Sequence, residues 1–312
     1  TTLAEIDALV AKYSATEAQA APGAKQSLTA AITAIAEGAA ADPRYAKALD
    51  LLKAGKAAEA EPLLKAVAED KAKRAEKDAK DAAAAYRNLA AIVAVSDPKR
   101  AREYYAEAAR LDPSDIGGMF QNGWFQQDAG NLTAAEAAYN RVLELAKTAS
   151  DDWAAYWARL GLGDIRMARG DLGVALAAYH DAQALADRLA KADPGNAGWQ
   201  RDLSVSYDRV GDVQVAQGDL AGALKSYQAS LAIADRLAKA DPGNAEWRRD
   251  LSVSQARLAT VYSKLGQPDK AREALVAGRA ILTELTAKHP DWPQPKKDAE
   301  WFDEQLNALG KK

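Results

Sequence analysis

Ala186 to Ala197 reads ADRLAKADPGNA, and the same twelve letters return at Ala234 to Ala245. Each copy leads, two residues on, to a tryptophan, Trp199 or Trp247, and then to RDLSVS. The offset is 241 − 193 = 48, from Asp193 to Asp241, and it also joins Gly163-Asp164 to Gly211-Asp212, Gly170-Asp171-Leu172 to Gly218-Asp219-Leu220, and Tyr179 to Tyr227. Three successive units therefore share one plan. A period of this size marks a supersecondary unit that buries its apolar face only by stacking on its neighbours.

Within a unit the period is helical. Val205, Val210, Val213 and Ala216, then Leu220, Leu224, Leu231 and Leu237, recur at three- and four-residue steps, and no alternation of period two is sustained. Gly218-Asp219 separates the two stretches, and Asp-Pro-Gly-Asn closes the pair. Glycine supplies the positive φ of a helix end and proline cannot continue a helix. Asn196 or Asn244 is then placed to accept the free N–H groups of the following first turn. Each unit reads as a helical hairpin.

These residues resemble the tetratricopeptide repeat (TPR), on Tyr207, Val210, Gly211, Gly218, Ala223 and Tyr227. Weaker copies run through Leu162, Gly163, Gly170, Ala175 and Tyr179, through Gly123, Gly130, Ala135 and Tyr139, and through Tyr86, Leu89, Ala90, Ala101, Tyr105, Ala108 and Pro113. Degenerate ones fit Leu51, Gly55, Ala60 and Leu64, and Leu258, Ala259, Tyr262, Gly266 and Ala271. The resemblance implies an all-α, right-handed α-solenoid of about six TPR-like hairpins with terminal capping helices. Gly211 and Ala223, facing each other, would let the two helices approach closely, and the aromatic would fill the gap to the next hairpin. The unit exceeds the usual 34 residues by 48 − 34 = 14, about two turns or 10 Å per helix. In this it is similar to the long-helix repeats of kinesin light chains and nephrocystin-like bacterial proteins.

Composition agrees and narrows the function. The 312 residues are 48% hydrophobic but only 7% aromatic, so the apolar fraction is largely alanine, suited to closely packed helices. A net charge of −3 from 41 basic and 44 acidic groups supplies no field for phosphate backbones or anionic lipids, so neither nucleic acid nor membrane is the expected partner. Zero cysteines exclude disulfides, thiol catalysis and thiolate metal sites. No run approaches a membrane span, and Thr1-Thr2-Leu3-Ala4-Glu5 lacks the features of a signal peptide, so a cytoplasmic protein is expected.

The ends depart from the repeat. Residues 1–41 read as two alanine-rich helices broken at Pro22-Gly23, a cap or a linker, and residues 42–289 as the solenoid. The alternating charges from Glu69 to Asp81 fit a solvated helix. Residues 290–312, opened by Pro290-Asp291-Trp292-Pro293, read as a capping helix with an apolar stripe of Trp301, Phe302, Leu306 and Leu309.

Catalytic signatures are lacking. His180 and His289 sit outside any metal-binding pattern, Gly161-Leu162-Gly163 lacks the third glycine and the strand of a dinucleotide site, and no P-loop exists. No cofactor or metal is expected, and the chain reads as a non-enzyme. Asn131-Leu132-Thr133 is a formal sequon, but helix capping is the simpler role for Asn131.

Binding is the better-supported role. The resemblance implies that first helices line a concave groove, pairing Arg87 with Ala91, Phe120 with Trp124, Leu160 with Asp164, Asp208 with Asp212, and Ala256 with Thr260. These pairs differ from one another over a constant frame, as a binding face requires. Phe120 and Trp124, beside Phe125, form either an aromatic shelf for a peptide side chain or the packing of their own irregular repeat. Asp164, Asp208 and Asp212 form either an acidic patch or internal pairs with Arg159, Arg166 and Arg209. The inward Lys and Asn of chaperone-binding relatives are absent here. Trp199 and Trp247 belong to the frame, packing on the preceding RLAK. The expected function is a scaffold binding a peptide or helix of another protein in the groove, with self-association through solenoid ends also open to it. The alternative is the sensor or assembly arm of a larger multidomain bacterial effector, such as those joined to Toll-receptor-like, caspase-like or nucleotide-dependent signalling domains.

Overall fold

The computed structural model describes residues 3–14, 24–74 and 79–310. Among them are fifteen α-helices and no strand. Pro22-Gly23 lies outside the described residues, as does the centre of the stretch from Glu69 to Asp81, which joins the end of α4 to the start of α5. The chain divides into two compact units at residues 154 and 155.

The first unit holds α1 (Leu3–Ser14), α2 (Ala24–Gly38), α3 (Pro43–Lys53), α4 (Ala57–Arg74), α5 (Ala79–Val93), α6 (Pro98–Leu111), α7 (Ile116–Asp128) and α8 (Leu132–Ala149). From α3 onward these pair as hairpins, each helix packed on the next. The two N-terminal helices share the hairpins' core: Ile6, Leu9, Val10 and Tyr13 of α1 and Leu28, Ile32 and Ile35 of α2 are buried with Leu49, Leu52, Leu89 and Ile92. The Tyr13 hydroxyl donates to the Leu52 carbonyl at 2.8 Å.

The second unit begins within α9 (Asp152–Ala168) and continues through α10 (Leu172–Ala192), α11 (Ala197–Gln217), α12 (Leu220–Ala240), α13 (Ala245–Lys264), α14 (Pro268–Lys288) and α15 (Pro293–Gly310). It is again a row of antiparallel hairpins stacked in chain order, the α-solenoid arrangement.

Local chemistry sets the hairpin turns. Gly218 ends α11 at φ 82°, where a side chain would be strained. The Asp219 amide donates to the Gln214 carbonyl at 2.8 Å and the Gly218 amide to the Val215 carbonyl at 3.1 Å, the paired bonds of a Schellman end. Gly55, Gly130, Gly170 and Gly266 repeat the positive φ. Between hairpins, Asn196 and Asn244 accept from the Trp199 and Trp247 amides at 3.2 and 3.1 Å, as their sequence positions predict. Asn131 occupies the N-cap of α8 but makes no capping bond, and its amide donates to Gln126 Oε1 instead.

Gly211 plays a different part from the one its spacing suggests. A Cβ there would lie 2.5 Å from Cε1 of Tyr227, so the missing side chain makes room for the tyrosine of its own hairpin. Gly163 faces Tyr179, and Gly123 faces Tyr139, in the same way. The seated ring lets the Tyr227 hydroxyl reach Asp212 Oδ1 at 2.7 Å. Gly211→Ala is therefore expected to destabilise the chain by 1–3 kcal/mol through overpacking, and Gly218→Ala through its φ by about 1 kcal/mol, both read by chemical denaturation. A Gly211→Ala protein as stable as the parent would show that the ring moves freely.

Candidate functional site

The residues expected at the groove do not form one kind of surface. In the first unit, Arg87 on α5 is ion-paired with Asp115, the N-cap residue of α7. Phe120 is 7% exposed, its ring 5.8 Å from that of Tyr139 on α8. Trp124 is half-buried and stands edge-on to Phe125 at 5.0 Å, and Phe125 stacks on Tyr105 at 5.0 Å. Of Phe120 and Trp124, Trp124 is the one with surface left to offer.

In the second unit Leu160 is buried in the core with Tyr156 and Tyr179. Its aspartates are tied into a ladder between successive first helices. Asp164 on α9 accepts the Tyr179 hydroxyl at 2.5 Å and lies 3.4 Å from Arg209 Nε on α11. Asp212 on α11 accepts the Tyr227 hydroxyl and lies 3.3 Å from Arg257 Nε on α13. Both rungs have the same offset, 209 − 164 = 257 − 212 = 45. Arg257 also reaches back to Asp208, its Nη1 3.4 Å from Oδ2. Arg159 and Arg166 pair instead with Asp181 and Asp171 at 3.9 Å. Thr260, two rungs on from Asp164, is exposed, and its hydroxyl donates to the Ala256 carbonyl at 2.9 Å.

Burial gives this ladder unusual electrostatics. Withdrawal from water raises the carboxyl of Asp208 to about 6, against the pull of Arg257 and a hydrogen bond from Ser230. Its Oδ1 is buried and has no hydrogen-bond partner among the described residues. Burial first, and then the neighbouring Asp164 or Asp212, pushes the Tyr179 and Tyr227 hydroxyls well above the usual phenol range. Both hydroxyls stay protonated and act as donors. A seam of hidden serines completes the packing, with Ser204 Oγ 2.9 Å from Ser230 Oγ and 3.2 Å from the Ser230 carbonyl.

The same helices carry a second register position that sequence reasoning missed. Trp157, Val205, Val253 and Trp301 stand 48 residues apart on α9, α11, α13 and α15. The first three are half-buried and Trp301 is 36% exposed. The signal was the repeat offset itself, carried one step past the last full hairpin.

Among the described residues no set of His, Asp and Glu is arranged to hold a metal ion. His180 is exposed beside Gln183, and His289 stands edge-on to Trp292. No helix among the described residues is long and apolar enough to cross a membrane.

No protein-family model matches the chain, and no curated protein matches it. Solved structures do. BtubC (BKLC) from P. vanneervenii is 17% identical, with a TM-score of 0.47 over 92% of this chain and 93% of its own. MamA from Desulfovibrio magneticus RS-1 is 17% identical, with a TM-score of 0.41 over 67% and 97%. The apo form of RapI is 13% identical, with a TM-score of 0.52 over 85% and 71%. The likeness to RapI is one of fold. The fold is thus an all-α, TPR-like helical-repeat solenoid.

Proposed function

We propose that the chain is a non-enzymatic scaffold that takes an extended segment or a helix of another protein along the face of its first helices. One observation carries this reading: Trp157, Val205, Val253 and Trp301 put a half-buried or exposed apolar side chain at the same 48-residue register position of α9, α11, α13 and α15, while the positions beside it change from hairpin to hairpin. A fixed frame presenting variable neighbours is how helical solenoids achieve specificity. The ladder supports the same view, because arginines of the chain answer Asp164, Asp208 and Asp212, leaving an apolar rather than an acidic face. In this reading Leu160 and Asp208 brace the face, while Thr260 and the apolar register position contact the partner.

The net charge of −3 favours a protein over a nucleic acid as that partner. Helices α10 to α14, at 20 or 21 residues, support the long-helix variety of the repeat seen in kinesin-light-chain-like arrays. We assign residues 42–289 to the array, 1–41 to the helices before it and 290–312 to a closing helix.

The test is to pan a displayed library of random peptides against the whole chain and measure the selected peptides on Val205→Gln/Val253→Gln. Affinity is expected to fall about tenfold, as for the loss of central apolar contacts, while the near-ultraviolet dichroism of the chain is kept. Equal binding by the folded double variant removes this face from the function.

A further inference from the structure

The last helix continues the register of the first helices. Arg201-Asp202, Arg249-Asp250 and Lys297-Asp298 are 48 residues apart, and the Arg201–Asp250 pair at 2.5 Å is repeated by Arg249–Asp298 at 2.7 Å. In that register the ladder calls for a third rung at 212 + 48 = 260 and 257 + 48 = 305, but these positions hold Thr260 and Gln305. Ala308 stands one period on from Thr260. A guanidinium and a carboxylate span each of the two preceding rungs. Here the short, uncharged side chains leave a groove of about 210 Å³ between α13 and α15. Buried Leu275, half-buried Leu309 and exposed Trp301 line it together with Thr260, Ser263, Gln305 and exposed Lys264.

We propose that this groove receives a single apolar side chain of a partner polypeptide, with a carboxylate on the same segment meeting Lys264. The inference rests on the face described under the proposed function and names a subsite of it. Size sets the first half: an apolar cavity of about 150 Å³ holds a benzene ring, so this groove holds one ring or one branched aliphatic chain. Charge sets the second half. Lys264 is the one charged residue among the nine that line the groove, so a basic segment is repelled and an acidic one drawn in. Trp301 offers the large amphipathic surface typical of an energetic anchor.

The structure supplies its own test. Thr260→Asp with Gln305→Arg copies the rung made by Asp212 and Arg257 and fills the groove with a pairing the fold already uses. Ala308→Trp fills it from α15 at an exposed position and serves if the double variant folds poorly. Random peptides selected on the whole chain are expected to carry Leu, Ile, Met or Phe within one helical turn of Asp or Glu. They are expected to bind either filled-groove variant about tenfold more weakly, and Lys264→Glu more weakly than the parent. Peptides that tolerate the filled groove but not Val205→Gln/Val253→Gln overturn the pocket and leave the face standing. Peptides indifferent to both, or no selection at all, overturn both. A concentration-dependent dimer that filling the groove abolishes would make the occupant a second copy, and so overturn the proposal of a foreign partner.

Discussion

Replacing Arg257 with Met will destabilise the second unit by about 3 kcal/mol, the low end of the cost of removing one partner from a buried ion cluster, because Arg257, Asp208 and Asp212 are only half-buried. For a unit of this size that lowers the unfolding midpoint by about 10 °C. Arg257 answers two carboxylates, Asp208 at 3.4 Å and Asp212 at 3.3 Å, and its own side chain is 24% exposed. Methionine keeps the apolar stem but leaves Asp208 and Asp212 near each other, with Arg209 3.9 Å from Asp212. Lys239→Met is the matched control. Its pair with Asp235 is formed at 2.7 Å, but the lysine is 75% exposed, so the loss should stay below about 0.5 kcal/mol. Adding Asp208→Asn to Arg257→Met should recover part of the stability, because the two positions share one network and their effects do not add. If Arg257→Met is no worse than Lys239→Met, the ladder does not hold the hairpins together.

The same ladder shows where sequence reasoning stops. The hairpins were legible because their signals are local: a turn glycine, an Asn cap and a helical apolar period act within a few residues. The fate of the aspartates was not. Arg159 and Arg166 are near Asp164 in sequence, yet its partner is Arg209, 45 residues away on the next first helix. Stacking sets that offset, one helical turn short of the 48-residue period, and nothing within a single hairpin encodes it. A trace was nevertheless present, since Asp164 and Asp212 recur at the repeat offset and so do Arg209 and Arg257. Phe120, offered either to a peptide or to its own repeat, goes to the repeat for a related reason. Its position suits a groove, but Tyr139 claims its face within the hairpin. The register of α15 was hidden by Pro293 and Pro295, which replace the usual helix opening, although Lys297-Asp298 and Leu306 keep the 48-residue step.

Lowering the pH from 7 to 5 will stabilise the second unit through Asp208, against the usual behaviour of carboxylates. Most shifted carboxyls here, such as Glu284 beside Arg248 and Asp303 beside Arg279, are held below their ordinary range and favour folding above it. Asp208 is raised from 3.8 to about 6 because burial penalises its charge more than Arg257 and Ser230 favour it. The other charges near it are Asp212 and Arg209 on its own helix. Between those two values the folded chain holds a proton that the unfolded chain has released, so stability falls as pH rises through this window. Above about 6 the ionised group costs the fold on the order of 3 kcal/mol. Asp208→Asn removes this cost while Arg257 keeps Asp212. The variant should therefore be more stable than the parent at pH 7 by up to about 3 kcal/mol and nearly equal to it at pH 4. The comparison is made by urea denaturation of both proteins at several pH values, which cancels the contribution of titrating groups outside this network. A difference that stays constant across the range would mean that Asp208 is ionised throughout it, and that Arg257 compensates fully for its burial.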